Sequence, residues 1–347
     1  MTNKAFYLTE LEKIEAGQAP VPEIKPDEVL VKVHAVALCT MEQRLFRGDL
    51  KLPMLATGGH EVAGEIAAMG SAVNKKKWAE HDRVVVRLLF NCGECYYCRT
   101  GHTNMCEKSK SRPVRENLLP GPGGGLADYV IVNAASLFKI PDTLTYEEAC
   151  LTEPLACVVH SVNRANIQLG EDVVVIGGGI MGQYHVMLAK RKGARVILSE
   201  VDPARAELAK KLGADVVFNP IEVDPVEFVK SQTEGRGADV VFNTTAIPSV
   251  VPQAIAMTGK AGRMVQYSSM HPDAPAPVSP QMLHGNEVVL TGSISPDGND
   301  FFTANRLLNS GIIDCKPMIA KTFPLEEAQA AFECATVPGT FRVIVTD

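Results

Sequence analysis

Residues 173–186 read VVVIGGGIMGQYHV. An apolar run of strand character stops at Gly177, and Gly177, Gly179 and Gly182 then space out as G-x-G-x-x-G before a segment with helical patterning. The first glycine permits a tight turn, the second lets backbone approach a pyrophosphate, and the third allows helix to pack closely on strand, with phosphate at the helix N-terminus. Gly177, Gly179, Ile180, Met181 and Gly182 are the candidate dinucleotide contacts; the competing reading is a merely flexible glycine loop. About twenty residues on, RVILSE ends at Glu200, where a carboxylate accepts hydrogen bonds from ribose hydroxyls and repels a 2'-phosphate. The expected cofactor is NAD(H), not NADP(H). Arg205, a helical turn further, is either a partial counterweight to that repulsion or a solvated helix charge.

Working outward, the stretch after residue 170 alternates strand and helix: VVVIG, IMGQYHVMLAKRKGA, RVILSE, PARAELAKKLGA, DVVFN, PVEFVKSQT, ADVVFNTT, PSVVPQAIAMTG and GRMVQYSS. That alternation predicts an α/β unit with a parallel, doubly wound sheet covered on both faces. Before Pro141 the pattern differs. EVLVKVHAVAL, EVAGEIAAMG, DRVVVRLL and ADYVIVNA are short β-rich runs separated by Gly, Pro and charge, an antiparallel, barrel-like arrangement. The final strand FRVIVTD is expected to return to this first domain.

A net charge of −6, with lysines and arginines scattered along 347 residues, leaves no basic stripe for nucleic acid and no polybasic patch for a membrane surface. The first residues lack the apolar core of a signal peptide, and no apolar run is long enough to span a bilayer. A soluble, cytoplasmic protein acting on a small molecule is expected. In that reducing setting, with an odd count of nine cysteines, a disulfide framework is disfavoured.

Residues 92–106 read CGECYYCRTGHTNMC, with Cys92, Cys95, Cys98 and Cys106 spaced C-x2-C-x2-C-x7-C. Short loops of this kind turn four sulfurs towards one tetrahedral ion, and four thiolates leave no open position, so the site reads as structural zinc. A redox pair is the alternative, without the helix-start and thioredoxin-like context it needs. Elsewhere, Cys39 in VALCTMEQR, His60 and Glu61 in TGGHEVAGE, and Glu153 in CLTEPLACVVH could together hold a zinc with room for water or substrate. Singly they also read as a buried thiol, a turn histidine and a helix-start acid.

Taken together, these residues resemble the zinc-dependent medium-chain dehydrogenase/reductase family, especially its sorbitol (polyol) and L-threonine dehydrogenase branches. Cys39, the segment Gly59 to Gly64, Asp82 to Val84, the four-cysteine lobe, Glu153 to Leu155, the Gly177 fingerprint and the late FRVIV strand occur in the family's order. The resemblance implies a GroES-like β-barrel catalytic domain over residues 1–154 and 294–347, a Rossmann domain over 155–293, and an active site in the cleft. It implies two zincs per chain: a catalytic one at Cys39, His60 and Glu61, with Glu153 binding the metal or its water, and a structural one at the four cysteines. Arg342 stands where relatives often place an arginine near the cofactor pyrophosphate.

One departure matters. Relatives commonly follow the zinc cysteine with a glycine and then a Ser or Thr that relays the alcohol proton; here Thr40 and Met41 take those places. A thioether transfers no proton. The expected function is zinc- and NAD-dependent interconversion of a secondary alcohol and a ketone on a polyol, sugar or sugar acid, by a homodimer or homotetramer. The alternatives are an epimerase or lyase that retains NAD and oxidises its substrate transiently, and a non-catalytic NAD-binding descendant. His160 reads as a cleft or packing histidine, Asn243, Thr244 and Thr245 as pocket lining or strand-end capping, and His271 and His284 as loop residues.

Overall fold

Val29, Val31 and Val33, at alternating positions, build the central strand of the first sheet. The computed structural model describes residues 2–21, 23–50, 58–109, 124–271 and 273–347. They fall into two compact units, residues 1–156 with 297–347, and residues 157–296.

In the first unit, β1 (Thr2–Glu10) and β2 (Lys13–Pro20) form an antiparallel hairpin. β3 (Glu28–Leu38) is the centre of the main sheet, pairing antiparallel with β4 (Glu61–Met69) and with β6 (Tyr129–Asn133). β4 continues to β5 (Arg83–Arg87), and β5 to β7 (Leu137–Lys139). Val29, Val31, Val36 and Leu38 of β3, Ile66 of β4, and Val84 and Val86 of β5 share one apolar core. Each such side chain, fully buried, contributes about 1.5–3 kcal/mol. The strand register thereby fixes the loops at the sheet's ends, where the chemistry lies.

The second unit is a six-stranded parallel sheet. β8 (Asp172–Ile176), β9 (Arg195–Ser199), β10 (Val216–Phe218), β11 (Ala238–Asn243), β12 (Thr258–Gln266) and β13 (Val289–Gly292) lie in the order β10-β9-β8-β11-β12-β13. β8, DVVVI, is buried throughout, as a strand covered on both faces must be. Strand order reverses between β8 and β11, and a doubly wound sheet binds ligands beyond the carboxyl ends at that point.

The chain then adds β14 (Ile319–Pro324) and β15 (Arg342–Thr346) to the first unit, β15 pairing antiparallel with β3 through Val343 opposite Leu38. Among the described residues no helix is long and apolar enough to cross a membrane.

Candidate active site and cofactor loop

The helix Thr40–Arg47 starts from Cys39, whose sulfur accepts the Met41 N–H at 3.1 Å. Glu42 answers by accepting the Cys39 N–H at 3.0 Å, so C-x-x-E forms a capping box with sulfur in the usual hydroxyl position. This local device has a long-range consequence. The same Glu42 carboxylate accepts the Gly59 N–H at 3.0 Å and lies 3.0 Å from His60 Nδ1. With Nδ1 facing Glu42, Nε2 is the ring nitrogen turned towards Cys39, 3.7 Å from its Sγ. Two ligands at the usual Zn–S and Zn–N lengths and a tetrahedral angle lie about 3.6 Å apart. The pair therefore fits a zinc ion. Burial raises the Glu42 carboxyl, but His60, Cys39 and the Gly59 N–H outweigh it and bring it down to about 2.

Glu61 begins β4 and is 1% exposed, with both carboxylate oxygens clasped by Nε and Nη2 of Arg342. Burial, with Glu153 and Glu42, pushes its carboxyl up, against the pull of Arg342 and His60. Glu153, in the first turn of the helix Thr152–Ala165, is buried. Candidate ligand atoms of His60, Glu61 and Glu153 lie within 4.8 Å of one another, as do those of Cys39, Glu42 and His60. The two sets share His60. Met41 is partly buried and packs against the barrel core.

The sulfurs of Cys92, Cys95, Cys98 and Cys106 also lie within 4.8 Å of one another. Cys92 Sγ and Cys98 Sγ are 4.0 Å apart, against about 3.8 Å for two thiolates on a tetrahedral zinc. All four are free thiols. Backbone donors converge on them, with Cys92 N–H on Cys106 Sγ at 3.3 Å and Cys95 N–H on Cys92 Sγ at 3.4 Å. The Cys98 and Glu107 N–H groups bring the Cys95 thiol down to about 6. The lobe suits a cation bound by thiolates.

In the second unit, Gly177 takes φ +95° and the helix Ile180–Arg191 starts at Gly179. A Cβ on Gly182 would sit 1.8 Å from the Gly177 carbonyl oxygen, so only glycine closes this turn. Glu200, 7% exposed, accepts the Val201 and Asp202 N–H groups at 2.8 and 2.7 Å and the Gly178 N–H of the loop itself. The carboxylate thus braces the glycine turn as well as closing β9. Thr244 Oγ1 donates to Ile176 O at 2.8 Å, tying the end of β11 to that of β8, and Asn243 Oδ1 accepts from Thr245 within the β11 end.

Comparison with known proteins places these features. Residues 25–142 match the alcohol dehydrogenase GroES-like domain and residues 181–310 the zinc-binding dehydrogenase domain. The chain is 33% identical to a sorbitol dehydrogenase of Bacillus subtilis, over 96% of this chain and 93% of that one. The chain belongs to the zinc-dependent medium-chain dehydrogenase/reductase family. An L-threonine 3-dehydrogenase of Caldanaerobacter subterraneus is 34% identical over 90% of this chain and 89% of its own length. A zinc-binding dehydrogenase of Sinorhizobium meliloti, solved with NADP, superposes with a TM-score of 0.89 at 29% identity, covering all of both chains.

In this dehydrogenase, His60 groups with Cys39 and Glu42 in one set and with Glu61 and Glu153 in another, all in the first unit, and the four cysteines form their own lobe. Arg342, expected near the cofactor pyrophosphate, has its guanidinium committed to Glu61 in the first unit and is 5% exposed. The reason is the ladder: β15 pairs with β3, and β3 with β4, where Glu61 lies. His160 lies half-buried in the helix Thr152–Ala165, and His271 and His284 are exposed. Glu42 was missed by sequence reasoning. Its signal was the acid three residues after a ligand cysteine, readable as a capping box, and a histidine ligand needs such a carboxylate to orient it.

Proposed function

We propose that this dehydrogenase interconverts a secondary alcohol and a ketone on a polyol, sugar or sugar acid, with zinc and NAD. The observation that carries the proposal is the Cys39–His60 pair at 3.7 Å, with His60 Nδ1 held 3.0 Å from the Glu42 carboxylate. Cys39, His60 and Glu153 would hold the catalytic zinc and leave one position open. Glu61 stays with Arg342, because displacing it would leave a buried guanidinium unpaired. When bound, zinc supplies Lewis acidity at the substrate hydroxyl and NAD accepts the hydride.

The chain's own part is orientation and charge. Glu42 fixes the His60 ring, and the Arg342–Glu61 pair sets a rigid wall beside it. Met41 has no atom that transfers a proton, so Glu153, Glu61 or a bound water takes the relay's place. Gly177, Gly179, Ile180, Met181 and Gly182 form the pyrophosphate turn. Glu200, anionic beside the adenosine ribose, favours NAD over NADP. Arg205, on the helix Pro203–Leu212 that follows, borders that end of the cofactor. The four cysteines hold a structural zinc.

A homodimer or homotetramer is the proposed assembly, since β13 ends its sheet with Val289 half exposed. The NAD-retaining alternative gains no support from the relatives. A panel of polyols, sugars and sugar acids assayed for NADH formation tests the proposal, with Cys39→Ser as control. Turnover of at least one polyol class that Cys39→Ser abolishes is expected; undiminished turnover in the variant would refute the zinc role.

A further inference from the structure

Gln183 directly follows the last glycine of the cofactor turn and is fully buried. Its amide nitrogen donates to two carbonyls, Gly178 O at 2.8 Å and Arg205 O at 2.9 Å. Two carbonyl oxygens can face only the NH2 end of an amide, so the side chain has one orientation. Its Oε1 is buried and, among the described residues, meets no hydrogen-bond partner. An apolar side chain of the same length would fill this space without burying an unpaired acceptor. The two donated bonds are therefore what sets glutamine apart here.

Those bonds complete a chain that runs through the cofactor loop. The Gly178 N–H is taken by Glu200 and the Gly178 carbonyl by Gln183, so this residue of the turn is held on both sides. Gly177 is fixed likewise, with its N–H on Ser199 O at 2.9 Å and its carbonyl accepting from Thr244 Oγ1 at 3.1 Å. Arg205 lies in the first turn of the helix Pro203–Leu212, which Asp202 caps by accepting the Ala204 and Arg205 N–H groups at 2.8 and 3.0 Å. Asp202 donates its own N–H to Glu200 at 2.7 Å. The bonds thus close a ring from Gly178 through Glu200, Asp202, Arg205 and Gln183 back to Gly178. The helix Ile180–Arg191 starts at Gly179, which brings no side-chain cap, so its first N–H groups are left to an anion.

We propose that Gln183 is a positioning residue for the dinucleotide: it ties the glycine turn to the start of the helix Pro203–Leu212 and so keeps the turn in its binding shape before the cofactor arrives. The inference rests on the reading of the turn as the dinucleotide site. A turn held in shape beforehand lowers the ordering cost of binding. Being fully buried, Gln183 acts through the Gly178 and Arg205 carbonyls and not by touching the ligand.

The test compares the full-length protein with Gln183→Met, which keeps the length and removes both donors, and with Gln183→Leu as a second apolar form. The probe is ADP-ribose, which carries the pyrophosphate and the adenosine ribose without nicotinamide, and binding is read by titration calorimetry. Its Kd should rise about 10-fold in both variants, the worth of one such hydrogen bond. KM for NAD should rise by a similar factor, with a smaller fall in kcat. In the cofactor-free proteins, hydrogen exchange should quicken over residues 177–182 and 200–206 together, and not across the rest of the parallel sheet.

Unchanged ADP-ribose affinity in both variants overturns the proposal, and a loss of stability alongside it marks a packing role. Exchange that quickens evenly through the whole unit also overturns it, because that is general loosening. If the unaltered protein binds no ADP-ribose, the reading of the turn as the dinucleotide site falls, and the proposal falls with it.

Discussion

Replacing Glu42 by alanine removes the acceptor for His60 Nδ1 and for two backbone N–H groups at once. The His60 ring is then free to turn and to change tautomer. Catalytic-zinc affinity should fall about 10–100-fold. A zinc titration of Glu42→Ala against the wild type checks this, and an unchanged affinity would show that Glu42 only caps its helix. Cys39, His60 and the four cysteines were legible because their residue types and spacings carry the chemistry themselves. Glu42 was not, because its role appears only when a histidine 18 residues away folds onto it. Met41 was legible as a departure, and its packing against the barrel core accounts for an apolar residue there.

At the scale of the element, the glycine turn was the most legible feature of the chain. Its requirements are local: φ +95° at Gly177, and no room for a Cβ at Gly182. Gly182→Ala forces the turn apart, and kcat/KM for NAD should drop by about 100-fold. Measuring NAD kinetics in this variant decides the matter; ordinary kinetics would mean that the turn does not seat the cofactor.

The helix after the turn hides a further constraint. His185, fully buried, has Nδ1 2.8 Å from Met181 O and Nε2 2.9 Å from Ser161 Oγ, so the neutral ring donates to the carbonyl and accepts from the hydroxyl. Burial brings its pKa down to about 4, with the Met181 hydrogen bond pulling the other way. The unfolded chain therefore binds this proton more readily than the folded one. His185's contribution is intact above about pH 6.5 and is lost as pH falls towards about 4. Going from about pH 7.5 to about pH 5 should cost about 2 kcal/mol through this residue. The stability gap between wild type and His185→Gln, from denaturant unfolding, should narrow by that amount; parallel pH curves would contradict the assignment.

At the scale of the whole molecule, strand and helix alternation announced the parallel sheet, and short β-rich runs announced the barrel, because each pattern is written in neighbouring residues. Pairings between distant residues were not legible. Arg342 and Glu61 are 281 positions apart, and nothing local to FRVIVTD says that its arginine is held by a carboxylate of β4.

The most direct measurement takes one purified sample through metal analysis, chelation and zinc restoration, following NADH formation with a polyol substrate at each stage. The account predicts two zincs per chain, loss of turnover when the more labile zinc is removed, and its return when zinc is added. Full turnover by metal-free protein would contradict it.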